Sequence, residues 1–407
     1  MTASTYDDIW LVDGVRTGFA DYAGTLGTVS PTDLGIAAAR AAIGRAGVDP
    51  AAVDTVIAAN VAQASFDAYY LPRHVGLYSG VPVEVPALLV HRLCGSGFEA
   101  ILQGADHIAL GRGHLALCVG AESMSRNPVA AFTHRSGFRM GQVDFRDFLW
   151  EATLDTAPGI RMGETAEKLA ERYAITREEV DDYAARSFAA AVAARDGGFH
   201  AGEIVPLRTE EFAAEGYRPR RLALPRGVES FAEDEHVRPT PRDVLAKLKP
   251  AFGGVQTGGN SSAIVDGAAA VLVASGDFVR RHGLKPLARI VAGASVGVPP
   301  EVMGIGPAPA IRALLRKTDL PLDRIGRFEI NEAFGAQYLA VERELGLERE
   351  RVNVNGGAIA IGHPLGVTGV RCTLTLAREL RRSGQGLGVA SACAGGGQGI
   401  AVLLEAA

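Results

Sequence analysis

The sequence predicts an α/β fold made of two copies of one strand–helix–strand unit, with an inserted loop domain between the copies. Strand and helix patterns alternate within each copy, which indicates two mixed, mostly parallel sheets with helices on their faces. The repetition of this unit along the chain is the second observation. The third is length, because 407 residues are enough for two or three lobes with a sizeable core.

The repeat can be followed from matched positions in the two copies. A strand ending at Asn60 corresponds to a strand ending at Asn331. Cys94 follows Asn60 by 34 residues, and His363 follows Asn331 by 32 residues. Each is followed by a helix with apolar periodicity, a glycine-containing turn and a buried strand. Chance similarity between helices rich in glycine and alanine is the alternative explanation.

The composition changes between the two copies. Arginines and acids become frequent from Ser123 to Lys249, and a helical stretch at 165–194 is interrupted where Thr176 and Glu179 fit a capping box. This texture predicts a loop domain that covers the ends of the sheets. We therefore predict four segments: a first half at 1–122, the inserted loop domain at 123–249, the end of the first half at 250–275, and a second half at 276–407.

Charge and cysteine content exclude several classes of protein. A net charge of −5 provides no basic surface for nucleic acid or anionic membranes. No stretch approaches the ~18 apolar residues of a membrane span, and the polar start of the chain does not resemble a signal or transit peptide. Four scattered cysteines fit neither a disulfide framework nor a zinc site, so we expect a cytoplasmic protein without a bound metal.

Cys94 is the first candidate catalytic residue. The residues Gly95-Ser96-Gly97 leave its thiol uncrowded, and a helix is predicted to begin at about Gly95. The positive end of a helix favours a thiolate. His363 and Cys393, each among glycines, would add a base and a second thiol to complete a nucleophile–base–acid set. A structural thiol is the alternative for Cys94.

Six short motifs occur in a characteristic order along nearly the whole chain. They are Cys94-Gly95-Ser96-Gly97, Gly120-Ala121-Glu122-Ser123-Met124-Ser125, Thr257-Gly258-Gly259-Asn260-Ser261-Ser262, Asn331-Glu332-Ala333-Phe334, Gly362-His363-Pro364 and the glycine run after Cys393. With these motifs the chain resembles the thiolases, enzymes that join or split acyl groups on coenzyme A (CoA). The resemblance implies a duplicated, layered αβαβα fold.

The resemblance also implies catalytic roles. Cys94 corresponds to the cysteine that takes the acyl group as a thioester, and His363 to the histidine that accepts its proton. Cys393 corresponds to the residue that moves the α-proton of acetyl-CoA. Asn331 would hold a water near the enolate oxygen. The backbone N–H groups of Cys94 and Gly395 would receive the oxygen of the tetrahedral intermediate.

A set of substrate-binding residues follows from the same resemblance: Ser262 near the pantetheine arm, Arg238 at a phosphate of the coenzyme, and Met162, Phe252 and Phe334 around the acyl group. A helix cap is an equal explanation for Ser262, and core packing is a rival for the phenylalanines. Arg161 precedes Met162 where acetoacetyl-forming members commonly have histidine. This departure favours the broader 3-ketoacyl-CoA enzymes.

The resemblance implies an acyltransferase that forms or thiolytically cleaves 3-ketoacyl-CoA, including acetoacetyl-CoA, through a cysteine thioester. Acetyl-CoA, 3-ketoacyl-CoA and CoA are the expected partners, with no separate cofactor, and a homodimer or homotetramer is the expected assembly. One alternative is a decarboxylating ketosynthase or hydroxymethylglutaryl-CoA synthase, which Cys393 disfavours, since decarboxylation needs no removal of an α-proton. Another is a non-catalytic subunit with the same fold, which the retention of all three catalytic residues disfavours.

Overall fold

The computed structural model describes residues 1–132 and 134–407. The first half of the chain forms a sheet with three helices. Its strands up to the loop domain are β1 Thr2–Thr5, β2 Ile9–Arg16, β3 Ala20–Asp21, β4 Thr55–Ala59, β5 Ala87–Val90 and β6 Leu115–Glu122. Its helices are α1 Pro31–Ala46, α2 Leu71–Tyr78 and α3 Ser96–Ala109.

Residues 123–249 contain short strands and helices. The strands form three antiparallel pairs: β7 Val129–Ala130 with β8 Arg146–Asp147, β9 Leu154–Asp155 with β10 Ile160–Arg161, and β11 Glu210–Phe212 with β12 Arg220–Leu222. The helices are α4 Phe148–Glu151, α5 Met162–Arg172, α6 Arg177–Asp196 and α7 Arg242–Leu245. The predicted capping box is confirmed, because the Glu179 N–H donates to the Thr176 hydroxyl at 3.3 Å and the Thr176 N–H to the Glu179 carboxylate at 2.8 Å.

The chain then completes the first sheet and forms the second. The remaining strands are β13 Val265–Ser275, β14 Ala288–Gly297, β15 Arg327–Ile330, β16 Leu387–Ala394 and β17 Gln398–Ala406. The remaining helices are α8 Gly276–Arg281, α9 Pro307–Thr318, α10 Gly335–Leu345, α11 Ala358–Ile361 and α12 Thr368–Ser383. Among the described residues, none of the helices is long and apolar enough to cross a membrane.

The strand order confirms the predicted duplication. The first half has the order β2–β13–β6–β4 and the second half has β14–β17–β16–β15, so equivalent strands take equivalent places. The two sheets meet edge to edge where β14 pairs with β2, at Ala288 opposite Leu11 and Arg289 opposite Trp10. The two predicted sheets therefore form one continuous path of strands.

The strand directions correct one detail of the prediction. The sheets are mixed, but in the described chain only the pairs β4–β5, β4–β6 and β15–β16 are parallel. The expectation of mostly parallel pairing is wrong. A parallel neighbour requires a long crossover connection, whereas β16 and β17 are joined by the short glycine turn at 395–397 and therefore run antiparallel.

Five layers result from this arrangement. Strand β6 points Cys118 into the core that contains α3 and α12, and points Leu117 into the separate core under α1 and α2. Helices α3 and α12 lie between the two sheet halves and cross at Gly97 and Gly369. A Cβ at Gly97 would lie 2.7 Å from the backbone nitrogen of Val370, so this close contact requires glycine. The predicted αβαβα class is confirmed.

Candidate active site

Most of the predicted site residues line one cavity of about 600 Å³. The loop domain contributes part of the wall through Leu149 and Trp150, and both halves of the duplicated fold contribute the rest. Six of the predicted residues are in this lining: Cys94, Met162, Phe252, Ser262, Phe334 and His363. A concave, largely apolar cavity with a few polar groups is the usual form of a site for a small organic substrate.

A tight turn presents Cys94 at the start of α3. Leu93, immediately before it, has a positive φ of 48°, an uncommon conformation for a side chain of this size. Ser96 stabilises the turn, since its hydroxyl accepts the Arg92 N–H at 2.7 Å and donates to the Leu93 carbonyl at 2.6 Å. The helix begins at Ser96, as predicted to within one residue. The serine of the Cys-Gly-Ser motif therefore shapes the turn that carries the thiol.

The protonation state of Cys94 differs from the sequence-based expectation. Burial in the cavity raises the pKa of the thiol to about 11, although the backbone N–H groups of Gly395 and Cys94 itself act to lower it. The expected effect of the helix N-terminus therefore does not make the thiolate the resting form. Removal of the sulfur from water outweighs these hydrogen bonds, so the resting group is a neutral thiol.

His363 is held in one orientation by its neighbours. Its Nδ1 lies 2.6 Å from the Thr368 hydroxyl, which itself donates to the Pro364 carbonyl at 3.1 Å. Because that hydroxyl proton is used, the hydroxyl accepts the Nδ1–H, and Nε2 keeps its lone pair. Burial, with the Arg371 charge nearby, lowers the pKa of His363 to about 3. The imidazole is therefore neutral and able to accept a proton at Nε2.

Replacing Thr368 with valine tests this orientation. The variant keeps the shape of the side chain but leaves the His363 Nδ1–H without an acceptor, which typically costs about 1–3 kcal/mol for a buried donor. We expect acetylation of Cys94 to slow by about 5–150-fold, measured in a single turnover with acetyl-CoA. Thr368→Ser, which keeps the acceptor, is the matched control. A Thr368→Val enzyme with an unchanged rate would contradict this role.

Cys393 and Asn331 lie beside the cavity lining and are fully buried. Cys393, near the end of β16, packs in a small cluster with Met303 and Ala333, and burial together with the neighbouring Cys94 thiol raises its pKa well above the ordinary range. The Asn331 amide nitrogen lies 3.4 Å from His363 Nε2. The Asn331 side-chain oxygen is buried and has no hydrogen-bond partner among the described residues.

Gly395 brings a backbone donor to the Cys94 thiol. Its N–H is within hydrogen-bonding reach of the Cys94 sulfur. A Cβ at this position would lie 2.9 Å from Leu93 and 3.4 Å from the Met162 sulfur, so a side chain would crowd both walls. The backbone of the glycine run therefore approaches the thiol closely enough to stabilise negative charge that develops beside it.

The predicted binding residues differ in their placement. Phe252 and Phe334 meet edge to face at 6.2 Å in the cavity wall, and the Ser262 N–H donates to the Ala333 carbonyl at 3.1 Å. Arg238 is not part of the lining. Its side chain is 56% exposed and its guanidinium lies 3.8 Å from the carboxylate of Asp21, which does line the cavity.

Some residues at the site had no predicted role. Trp150 lines the cavity with Arg161, whose guanidinium lies 4.2 Å from the centre of the Trp150 ring. Met303 packs against Cys393 in the same small cluster. Glu122 is a buried carboxylate at the end of β6. A single acid in an otherwise apolar strand is the signal that could have identified it.

Family models decide the relationship of this chain to known proteins. The model "Thiolase, N-terminal domain" matches residues 9–277, and "Thiolase, C-terminal domain" matches residues 284–406. The chain belongs to the thiolase family. As a thiolase it is an acyltransferase, which carries out thiolytic cleavage of acyl-CoA or the reverse condensation.

Individual relatives support this assignment over almost the entire length. The thiolase is 45% identical to the human mitochondrial 3-ketoacyl-CoA thiolase, with 98% of each chain covered. It is 42% identical to an acetyl-CoA acetyltransferase of Pseudomonas aeruginosa, over 98% of this chain and 99% of the relative. The crystal structure of the human mitochondrial enzyme in complex with CoA superposes with a TM-score of 0.91, at 44% identity and 98% coverage of both chains.

Proposed function

We propose that this thiolase cleaves 3-ketoacyl-CoA of short to medium chain length, with acetoacetyl-CoA among its substrates. The observation that carries the proposal is the convergence of Cys94, His363 and Cys393, from both halves of the fold, around one cavity. CoA-dependent cleavage of acetoacetyl-CoA in a coupled assay tests it. A decarboxylating ketosynthase or a non-catalytic subunit would show no such cleavage.

In the first half-reaction of condensation Cys94 attacks the thioester carbonyl of an acyl-CoA. Its proton passes to Nε2 of His363, whose neutral state and fixed tautomer suit it for this step. The N–H groups of Cys94 and Gly395 stabilise the oxygen of the tetrahedral intermediate. The leaving group takes up the proton from His363, and the acyl group remains on Cys94 as a thioester.

In the second half-reaction of condensation, Cys393 removes an α-proton from acetyl-CoA. The enolate oxygen lies near His363 and a water held by Asn331, whose free side-chain oxygen suits that role. The carbanion attacks the acyl group on Cys94, and the Cys94 sulfur leaves and takes up the proton that the Cys393 thiolate had removed. In the cleaving direction Cys94 attacks the 3-keto carbonyl of the substrate, and the bond between C2 and C3 breaks. Cys393 protonates the resulting carbanion to give acetyl-CoA, and free CoA then takes the acyl group from Cys94.

The length of the accepted acyl chain is a direct test of the cavity. Tyr69, Tyr70 and Phe138 could crowd it, but they are exposed and outside its lining. Each CH₂ buried in an apolar pocket contributes ~0.8 kcal/mol, so we expect kcat/KM to rise about fourfold per added carbon until the pocket ends. Measuring kcat/KM for 3-ketoacyl-CoAs of about four to twelve carbons checks this expectation. A sharp fall already at six carbons would identify a dedicated acetoacetyl-CoA thiolase.

The coenzyme end of the substrate is assigned to two residues. Ser262 lines the cavity and would contact the pantetheine arm. Arg238 is exposed beside the wall residue Asp21, so its guanidinium can turn to a phosphate of the coenzyme without losing a buried ion pair. The mechanism needs only these side chains and the two thioesters, and we propose that no further cofactor takes part.

The cellular location and the assembly are further parts of the proposal. Four free cysteines, two of them in the core at Cys118 and Cys372, suit a reducing compartment, and a cytoplasmic location is proposed. The human relative is mitochondrial, and cell fractionation would distinguish the two compartments. We propose that the protein forms a homodimer or homotetramer and functions in fatty-acid β-oxidation. Light scattering on the purified protein tests the proposed assembly.

A further inference from the structure

Glu122 is the last residue of β6 and is fully buried. Its carboxylate accepts four hydrogen bonds from two chain segments, residues 60–62 and Gly366. One oxygen accepts from the Asn60 amide at 2.9 Å and the Ala62 N–H at 3.0 Å. The other accepts from the Val61 N–H at 3.1 Å and the Gly366 N–H at 2.8 Å. A carboxylate is the only side chain that offers this many acceptor sites in two directions.

The donors on Glu122 come from both halves of the fold. Asn60, Val61 and Ala62 follow β4 in the first half, whereas Gly366 belongs to the loop that begins at His363 in the second half. This loop lies directly on the first half, because a Cβ at Gly366 would come within 2.9 Å of the Ala59 carbonyl oxygen. Glu122 therefore ties the loop of the base to the half that carries the nucleophile.

The second copy has no acid at the place equivalent to Glu122, because β16, the counterpart of β6, ends at Ala394, and its buried Glu332 lies elsewhere. Glu332 accepts hydrogen bonds from Tyr183, Ser187, Asn353 and the Ile359 N–H, all within the loop domain or the second half. Asn60 and Asn331 occupy equivalent places after β4 and β15, yet Asn60 binds Glu122 while Asn331 faces His363. The bond from Glu122 to Gly366 is thus a feature of the site and not a consequence of the duplication.

We propose that Glu122 is a positioning residue, which holds the His363 loop in register with Cys94. This inference rests on the proposed function. The ionised carboxylate satisfies all four donors, whereas a protonated one directs an O–H toward N–H groups and releases at least one of them. Release of the Gly366 N–H loosens the loop, and a displacement of about 1 Å at a reacting group can cost 10²-fold in rate.

The charge of Glu122 gives the proposal a second, independent readout. Burial raises the pKa of Glu122 to about 7, against the lowering effect of the Gly366, Ala62 and Val61 N–H groups. Two titratable groups interact with the Glu122 charge. Asp266 on β13 raises the pKa of Glu122, and the charge of Glu122 in turn raises the pKa of Cys94. His363 stays neutral down to about pH 3 and takes the Cys94 proton during acetylation, so a fall in the acetylation rate between pH 8 and 6 reports Glu122, whereas alkylation is compared between variants at one pH.

Two variants and a matched control test the proposal on the full-length enzyme. Acetylation of Cys94 by acetyl-CoA and alkylation of Cys94 by iodoacetamide are followed from about pH 5.5 to 9 in the wild type, Glu122→Gln, Glu122→Asp and Glu379→Gln. Glu379 is also a buried acid, on α12, and binds Asn355 at 3.1 Å and Arg327 at 3.1 Å outside the cavity lining. Glutamine offers one acceptor oxygen, and aspartate is too short to reach both halves.

The expected result is acetylation that slows about 10–100-fold in both Glu122 variants at pH 8, with KM changed less than threefold. The wild-type rate should fall as pH drops through about 7, and this acid limb should be absent in Glu122→Gln. Glu379→Gln should lower the melting temperature and leave the rate and its pH profile unchanged. A Glu122→Gln enzyme that loses stability but keeps the wild-type rate and pH profile would overturn the proposal.

Alkylation separates positioning from charge and does not depend on thiolase substrates. Loss of the Glu122 charge alone would lower the Cys94 pKa and speed alkylation, whereas a displaced His363 slows it. Faster alkylation in Glu122→Gln would therefore overturn positioning. If Glu122→Gln does not fold, Asn60→Ala removes one donor to the carboxylate, which raises its pKa, so the acid limb should move to higher pH. An acid limb at the wild-type pH in Asn60→Ala would contradict the positioning proposal. If the wild-type enzyme is alkylated at Cys94 but never acetylated by acetyl-CoA, only the proposed function is refuted.

Discussion

Cys94→Ala should lose the covalent acetyl adduct completely. The wild-type enzyme incubated with acetyl-CoA should gain one acetyl group on Cys94, and its steady-state kinetics should be ping-pong. Cys94 is expected to react because its thiol is only half-buried, lies in the cavity and has the Gly395 N–H beside its sulfur. Loss of a nucleophile that acts together with a base costs about 10⁶-fold in rate. Mass spectrometry of the intact protein and its peptides measures the adduct.

Two core thiols provide the control for this experiment. Cys118 and Cys372 are fully buried in the hydrophobic core, and burial raises the pKa of both. Cys118→Ala and Cys372→Ala should keep the adduct and differ from the wild type only in stability. An acetyl group mapped to either of these residues would show that the nucleophile has been assigned wrongly.

Cys393→Ala should separate the two half-reactions. The variant should still accept an acetyl group on Cys94, since that step requires only the nucleophile, His363 and the backbone donors. Exchange of the acetyl α-protons with solvent and condensation should both fall by about 10²–10⁴-fold, as expected when one acid–base group is removed. Incorporation of deuterium into acetyl-CoA and formation of acetoacetyl-CoA measure the two losses.

Cys393→Ser is the matched variant for this second experiment. It preserves the size of the side chain in the cluster with Met303 and Ala333, so a loss of exchange cannot be attributed to a cavity. The hydroxyl is a much weaker acid than the thiol, and we expect it to restore packing without restoring proton transfer. Near-normal condensation in Cys393→Ala would show that another group moves the α-proton.

The positions proposed as catalytic could be identified from the sequence because each stands in a short local motif. Cys94 stands in a turn whose own Ser96 makes the stabilising hydrogen bonds, and Cys393 stands before a run of glycines. The duplication was visible for the same reason, since each copy repeats its own strand and helix signals. Features that depend on residues close together in the sequence could be predicted from it.

The features that were predicted wrongly or missed depend on contacts between residues far apart in the sequence. The pKa of Cys94 depends on how the loop domain and second half enclose its sulfur, which no local pattern reports. The direction of β17 depends on the turn that joins it to β16 and not on the apolar pattern of either strand. The partners of Glu122 are separated from it by up to 244 residues, so only the folded chain brings them together.

The helices α3 and α12 cross at Gly97 and Gly369, and on the proposed mechanism neither half of the chain can carry out the reaction alone. The first half supplies the nucleophilic Cys94 at the end of one central helix, and the second supplies His363 before the other, with Cys393 on its sheet. A fragment containing either half would hold a thiol without a base, or a base without its thiol. If the two halves are produced as separate fragments, we expect catalysis only after they associate with α3 packed against α12. Turnover therefore measures the association of the two halves.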